Sequence, residues 1–192
     1  MDEFAIFFII TLGLITLANY IRKNKNIEYV VSTYDNTKYL VRKLPDSLQA
    51  ANKLAELNSH ILKIIDACQK SDRENVELLK ENYNTDTLSE TVPGSKYTSY
   101  SVNKGEKISI CIRHTDNSFM DMNTILFVTI HELAHVMTIS TGHTEEFWSN
   151  MKFILEVAES IGLYKPVNYK TKPETYCGMV INSTPYDFNK EK

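Results

Sequence analysis

No Cys-x-x-Cys pair occurs in this chain, and its three cysteines, Cys68, Cys111 and Cys177, are widely spaced and odd in number. That pattern excludes the dense disulfide framework of a small secreted domain, and it leads to an expectation of free thiols in a reducing compartment. An excess of basic residues is also missing: 21 lysines and arginines face 24 acidic residues, for a net charge of −3. Bulk charge therefore gives no support for binding nucleic acid, whose phosphates select a basic surface. No internal repeat is present. The 192 residues suffice for one domain with a real core and are too few for two comfortable ones. Histidine is sparse as well, with five in all, yet three of them fall between His131 and Trp148.

Charge is absent from Phe4 to Ile21. A helix of that length spans about 27 Å, close to the hydrocarbon thickness of a bilayer. Asp2 and Glu3 precede it, and Arg22, Lys23 and Lys25 follow it at once. The positive-inside rule then keeps the carboxyl-terminal side in the cytoplasm. The expected organisation is a single-pass transmembrane anchor with a basic flank over residues 1–25 and one domain over residues 26–192. The amino terminus would be exoplasmic, with the domain on the cytoplasmic side or inside a virion membrane. A cleaved signal peptide would want a basic n-region, although "TLA" before Asn19 is an acceptable cleavage sequence. A buried helix of a soluble protein would show a polar stripe, and only Thr11, Thr16 and Asn19 interrupt this run.

Beyond a short polar linker, β-rich runs around Glu28–Tyr34 and Thr37–Lys43 flank an Asp35–Asn36 turn, which predicts a hairpin. Asp46 is placed to cap the next helix, with Gln49 as a capping-box partner. Apolar residues from Leu48 to Cys68 keep helical spacing. His60 lies beside that stripe without a ligand partner and reads as a structural or surface histidine. A shorter helix is expected over Asp72–Tyr83, followed by a loop through "NYNTDTLSETVPGSK". Tyr97–Val102 and Lys107–Arg113 form a second predicted hairpin around "NKGE". Helical spacing resumes from Asn123 to about Ser140, Gly142 stops it, and Thr144 can cap a last helix running to Gly162. The fold class is α+β: one compact domain behind the anchor.

The chemistry concentrates in "HELAHVMTISTGHTEEFW". Residues four apart share a helix face, so His131 and His135 can offer two imidazole nitrogens to one ion. Zinc accepts such nitrogens at about 2.0–2.1 Å in a tetrahedron, and a catalytic site keeps one position open for water. Glu132 projects from the same side and can take a proton from that water, whose pKa zinc lowers to about 7. A third ligand must come from elsewhere. His143 is the leading candidate, because Gly142 lets the chain turn back; Glu156 and Glu159 on the following helix are alternatives. The competing reading is a core helix with paired structural histidines, which would bury polar groups at a cost unless all were hydrogen-bonded. His114, in a loop after a strand, is read as solvated rather than as part of the site.

"SYSVNKGEKISICIR", a short polar loop, and "TILFVTIHELAHVMTISTGHTEEFW" together resemble the WLM metallopeptidases, relatives of the SprT and Spartan proteases, some of which cleave proteins crosslinked to DNA. The likeness runs from Tyr97 to Leu155. It implies a minimal zincin fold with a small antiparallel sheet, one Zn2+ held by His131, His135 and His143, and Glu132 as catalytic base. It further implies that a strand of the "NKGE" hairpin borders the cleft, where an extended substrate could add as a strand. Phe147 and Trp148 would pack behind the third ligand. Two departures stand out. The third histidine comes about two residues later than the usual WLM pattern, and the chain carries an amino-terminal anchor in place of a basic tail. The DNA-repair role is therefore not carried over. A membrane-tethered member from a large DNA virus or a microbe fits better.

In the tail, Tyr176 is a candidate hydrogen-bond donor to a developing oxyanion. Cys177 is a candidate thiolate gate and Met179 a residue beneath the site, against the plainer reading of a structural tail strand. The leading function is a membrane-anchored zinc endopeptidase acting on protein or peptide substrates. The alternative is a non-catalytic membrane or virion structural protein whose zinc is a staple. Peptide deformylase would need a cysteine ligand in a loop ahead of the helix, where Cys111 sits in strand-like sequence instead. An intramembrane protease would need partner spans.

Overall fold

The computed structural model describes residues 3–24, 26–92 and 94–188, with side chains from 5–16, 26–92 and 94–188. Helix α1 (Glu3–Asn24) leads into β1 (Ile27–Val31) and β2 (Lys38–Arg42), the expected antiparallel hairpin with Tyr29 opposite Leu40. Asn36 takes a left-handed conformation in its turn, with φ +60°. Helix α2 (Ser47–Cys68) and the short α3 (Val76–Asn82) follow, and α3 starts later than its sequence suggests. The stretch read as a loop contains β3 (Ser89–Glu90). Then come β4 (Tyr100–Val102), β5 (Lys107–Ile110), α4 (Met122–Met137), α5 (Glu145–Ser160), and the hairpin β6 (Glu174–Tyr176) and β7 (Met179–Ile181).

The five-stranded sheet has the order β1-β2-β3-β5-β4. It is mixed and not antiparallel throughout: β3 runs parallel to both β2 and β5. A parallel step needs a long crossover, and α2 with α3 supplies it between β2 and β3. Two residues are too few to show period-2 alternation, which is why β3 escaped the sequence pattern. Apolar faces of α2, α4 and α5 meet over the sheet through Leu54, Ile61, Ile108, Ile110, Ile130 and Leu155, all buried.

Asp46 precedes α2 but makes no side-chain cap there, so the predicted capping box does not form. Its carboxylate instead accepts two bonds from Arg113, at 2.8 and 2.9 Å. A guanidinium fork outcompetes a backbone amide for a carboxylate. The cysteine expectation is also corrected. Cys68 is a buried free thiol, but Cys111 and Cys177 form a disulfide across 66 residues. Linear distance hid the pair, since Cys111 follows β5 and Cys177 occupies the β6–β7 turn. Because that bond closes a long loop, Cys111→Ser should lower stability by about 2–4 kcal/mol. The readout is the urea midpoint, and reduced wild type should match the variant.

The twelve described side chains of α1, from Ala5 to Thr16, are exposed apart from Thr11. Phe7 and Phe8 are 71% and 69% accessible. Among the described residues, no helix is long and apolar enough to cross a membrane. The expected anchor, Phe4–Ile21, extends past the described side chains at both ends, and those parts lie outside the described residues.

Candidate metal centre

Helix α4 carries the first two histidines. Asp121 caps it by accepting the Thr124 amide at 3.0 Å. Eleven of its residues are buried, among them Ile125, Leu126, Ile130, Leu133 and Ala134, so the helix lies in the core and cannot rotate freely. It ends at Met137, earlier than the apolar spacing suggests. Thr138 is extended, and its hydroxyl donates to the Ala134 carbonyl at 2.6 Å. Lys104 Nζ, from the "NKGE" segment, donates to the Thr138 and Ile139 carbonyls, both at 2.6 Å. A cation just past the last turn suits the negative end of the helix dipole.

The chain then reverses. Gly142 has φ +88°, a backbone that favours glycine. Thr144 caps α5 by accepting the Phe147 amide at 3.3 Å, as its sequence suggests. Glu146, in the first turn of α5, accepts the Ile139 amide at 2.9 Å and the Ser140 hydroxyl at 2.7 Å. These bonds hold its carboxyl below the usual range, with the Ser140 hydroxyl the larger cause. Lys104 and Glu146 thus clamp both sides of the loop that presents His143. Sequence reasoning missed both, because a clamp residue carries no motif of its own. The lysine within "NKGE" and the acidic first turn of α5 were the only traces.

Three imidazoles converge as a result. The ligand atoms of His131, His135 and His143 all lie within 4.8 Å of one another and could hold a metal ion. His131 Nε2 and His143 Nε2 are 3.1 Å apart. Tetrahedral zinc with bonds of about 2.0–2.1 Å sets its ligand nitrogens roughly 3.3–3.4 Å apart, close to the His131–His143 separation. The longer loop is thus compatible with the third ligand position. Phe147 packs against all three rings at centroid distances of 4.4 to 4.8 Å, and Trp148 lies 5.7 Å from the ring of His143. The expected aromatic backing is present.

Burial, then the neighbouring His135 and His143, push His131 down to about 3. Burial, with His143 and Lys104 adding to it, pushes His135 down to about 4. Both rings are therefore neutral at physiological pH, the form that binds metal. Glu132 is buried, and desolvation pushes it up to about 7 against a bond from the Ser101 backbone. Ser101 is in β4, the outer strand of the sheet, so the "NKGE" hairpin does border the cleft.

The alternative ligands lie elsewhere. Glu156 pairs with Lys152 at 3.6 Å, and Glu159 accepts the Tyr186 hydroxyl at 3.0 Å. His114 lines a separate small cavity of about 280 Å³ with Arg42 and Lys96. His60 is half-buried on α2, with Nδ1 unpartnered and burial lowering its pKa. Tyr176 reaches the cleft wall, but its hydroxyl is engaged by Ser99 Oγ at 2.6 Å and by the Cys111 carbonyl at 2.8 Å. The disulfide removes Cys177 as a thiolate gate. Met179 is not beneath the histidines; it sits exposed on the cleft rim, its sulfur accepting the Thr98 hydroxyl at 3.4 Å.

A protein of Acanthamoeba polyphaga mimivirus is 33% identical over 180 residues, covering 89% of this chain and 91% of its own. A protein of Invertebrate iridescent virus 6 is 39% identical over 84 residues, covering 41% of this chain and 44% of its own. These relatives agree with a large DNA virus as the source. Among solved structures, Wss1 from Saccharomyces cerevisiae gives a TM-score of 0.48 at 22% identity, covering 63% of this chain and 86% of that one. Wss1 from S. pombe gives 0.45 at 25% identity, covering 62% and 88%. The WLM domain model matches residues 32–189 and so takes in the mixed sheet, α4, α5 and the tail hairpin. A match over that length establishes the family: the chain belongs to the WLM domain family, whose members resemble zinc metalloproteases.

Proposed function

We propose that this chain is a zinc-dependent endopeptidase tethered to a membrane through α1, with His131, His135 and His143 as ligands of one Zn2+ and Glu132 as general base. The observation that carries the reading is the convergence of three imidazoles beside the buried Glu132 carboxyl. When bound, zinc supplies Lewis acidity, polarising a scissile carbonyl and acidifying a water. The Glu132 carboxylate takes the proton of the attacking water and passes it to the leaving amine. The Ser101 backbone bond orients that carboxylate. The outer side of β4 can align an extended protein segment by strand addition, which brings a peptide bond past the histidines.

Residues 26–192 form the catalytic unit and residues 1–25 the anchor. Exposed Phe7, Phe8, Ile9 and Ile10 support insertion, since a stable water-facing helix would not carry such a face. The basic flank places the catalytic unit on the cytoplasmic side at insertion. Disulfides persist in oxidising surroundings, so the Cys111–Cys177 bond suits the interior of a released particle better than reducing cytosol.

The test is zinc content and peptide hydrolysis in wild type and His143→Ala. Wild type should bind one zinc per chain, and a chelator should abolish cleavage. His143→Ala should lose most of its zinc affinity. Equal zinc in both proteins would remove His143 from the ligand set. Carbonate extraction of membranes tests the tether, and release of the chain into the supernatant would refute it.

A further inference from the structure

The cleft continues well past the histidines. A cavity of about 570 Å³ opens from His131, Glu132 and His143, and His135 is not part of its lining. It therefore extends to one side of the metal centre. Its floor is made by Phe127 and Val128, one helical turn before His131, and by Met151, one turn after Trp148 on α5. The β6–β7 hairpin closes the far side with Val180 and Ile181. Among the described residues, Glu132 is the only carboxylate in the lining and Lys96 the only ammonium. Val180 is 59% exposed, an apolar side chain left facing water at the rim.

Resting on the peptidase reading above, we propose that this cavity holds one large apolar side chain of the substrate, of the leucine, methionine or phenylalanine class, next to the scissile bond. Two observations support it. The lining is predominantly apolar, with Phe127, Val128, Met151, Val180 and Ile181 among its side chains beyond the histidines. The volume falls within the range of about 300–1,000 Å³ typical of ligand sites, enough for a large side chain with its flanking backbone.

Hairpin β6–β7 is a specificity element under this reading. It belongs to a separate two-stranded sheet. Its fixed points are the Cys111–Cys177 disulfide and the hydrogen bonds of the Tyr176 hydroxyl to Ser99 and the Cys111 carbonyl. Both pin the turn end and so set the width of the cavity.

Trp148 is the single tryptophan of the chain and lines the cavity, so its fluorescence reports occupancy without catalysis. The full chain in nonionic detergent is titrated with two peptides that differ at one position, Phe or Asp, using Glu132→Gln to prevent turnover. The Phe peptide should shift and quench Trp148 emission, and the Asp peptide should not. With zinc-loaded wild type, kcat/KM should favour Phe or Leu over Asp by about 10- to 100-fold, the range expected for filling an apolar pocket. Val180→Asp alters an exposed residue and should fold normally. It should cut the Phe preference several-fold and weaken the Trp148 response, which also controls for peptide partition into detergent. Cleavage indifferent to the side chain, with Trp148 silent, overturns the pocket inference and leaves the peptidase reading intact. A Trp148 response confined to the Phe peptide, without cleavage of either, supports the pocket and defeats the peptidase reading. Silence in both measurements overturns both.

Discussion

Glu132→Gln is expected to keep its zinc and to lose roughly 100- to 10,000-fold in kcat/KM for peptide hydrolysis, the usual weight of a general base. The side chain is buried in the third turn of α4, between His131 and His135, and its carboxyl meets the backbone of Ser101. An amide has the same shape and keeps an oxygen to accept that backbone N–H. Folding should therefore be unaffected, and the metal site with it. What the amide cannot do is take a proton. The loss should fall on kcat with little change in KM, because the interaction exists only along the proton transfer. Metal analysis and a thermal melt on the same preparation separate this outcome from general damage. Unchanged cleavage in the variant would remove Glu132 from the chemistry. Absence of cleavage in wild type and variant alike, with zinc bound in both, would leave the metal as a structural staple.

The parts of this site legible in the sequence are those fixed within a few residues. His131, Glu132 and His135 share a helix face because of their spacing alone. Gly142 and Thr144 announce a reversal and a new helix, and the structure has both. The "NKGE" hairpin was readable from its turn chemistry, and its strands pair with Ser101 opposite Ile108. The less legible parts depend on residues far apart in the chain. The parallel placement of β3 rests on a crossover of two helices. The Cys111–Cys177 bond needs the tail folded back over the end of β5. Asp46 looked like a helix cap because its true partner, Arg113, lies 67 residues away. Lys104 and Glu146 act on a loop neither belongs to by pattern. Tertiary geometry chose among locally acceptable options at each of these positions.

Arg113→Met should destabilise the fold by about 3–5 kcal/mol, the usual cost of removing one partner from a buried charge network. Arg113 is 1% exposed, the largest fully buried side chain among the described residues. Its Nε donates to Glu90 at 2.8 Å, its two terminal nitrogens reach Asp46, and Nη1 also reaches the Asn117 carbonyl at 2.9 Å. Phe119 stacks on the guanidinium at 4.1 Å. One side chain thus ties the start of α2, the short β3 and the loop that leads into α4. Methionine fills much of the volume and leaves Glu90 buried without its cation. Desolvation already raises the Glu90 carboxyl above its ordinary 4.5, with the Arg42 amide and Arg113 opposing. Removal of Arg113 lets it rise further. A folded-state pKa above the unfolded one means the native state binds the extra proton. Stability of the variant should therefore fall as pH rises above about 4.5, through the folded value. Urea midpoints should show a larger gap from wild type at pH 8 than at pH 5. Glu90→Gln added to Arg113→Met should recover part of the loss at pH 8. Because Arg113 lines none of the cleft, cleavage per folded molecule should stay at the wild-type level. A gap independent of pH would mean that Glu90 finds another cation or reaches water once Arg113 is gone.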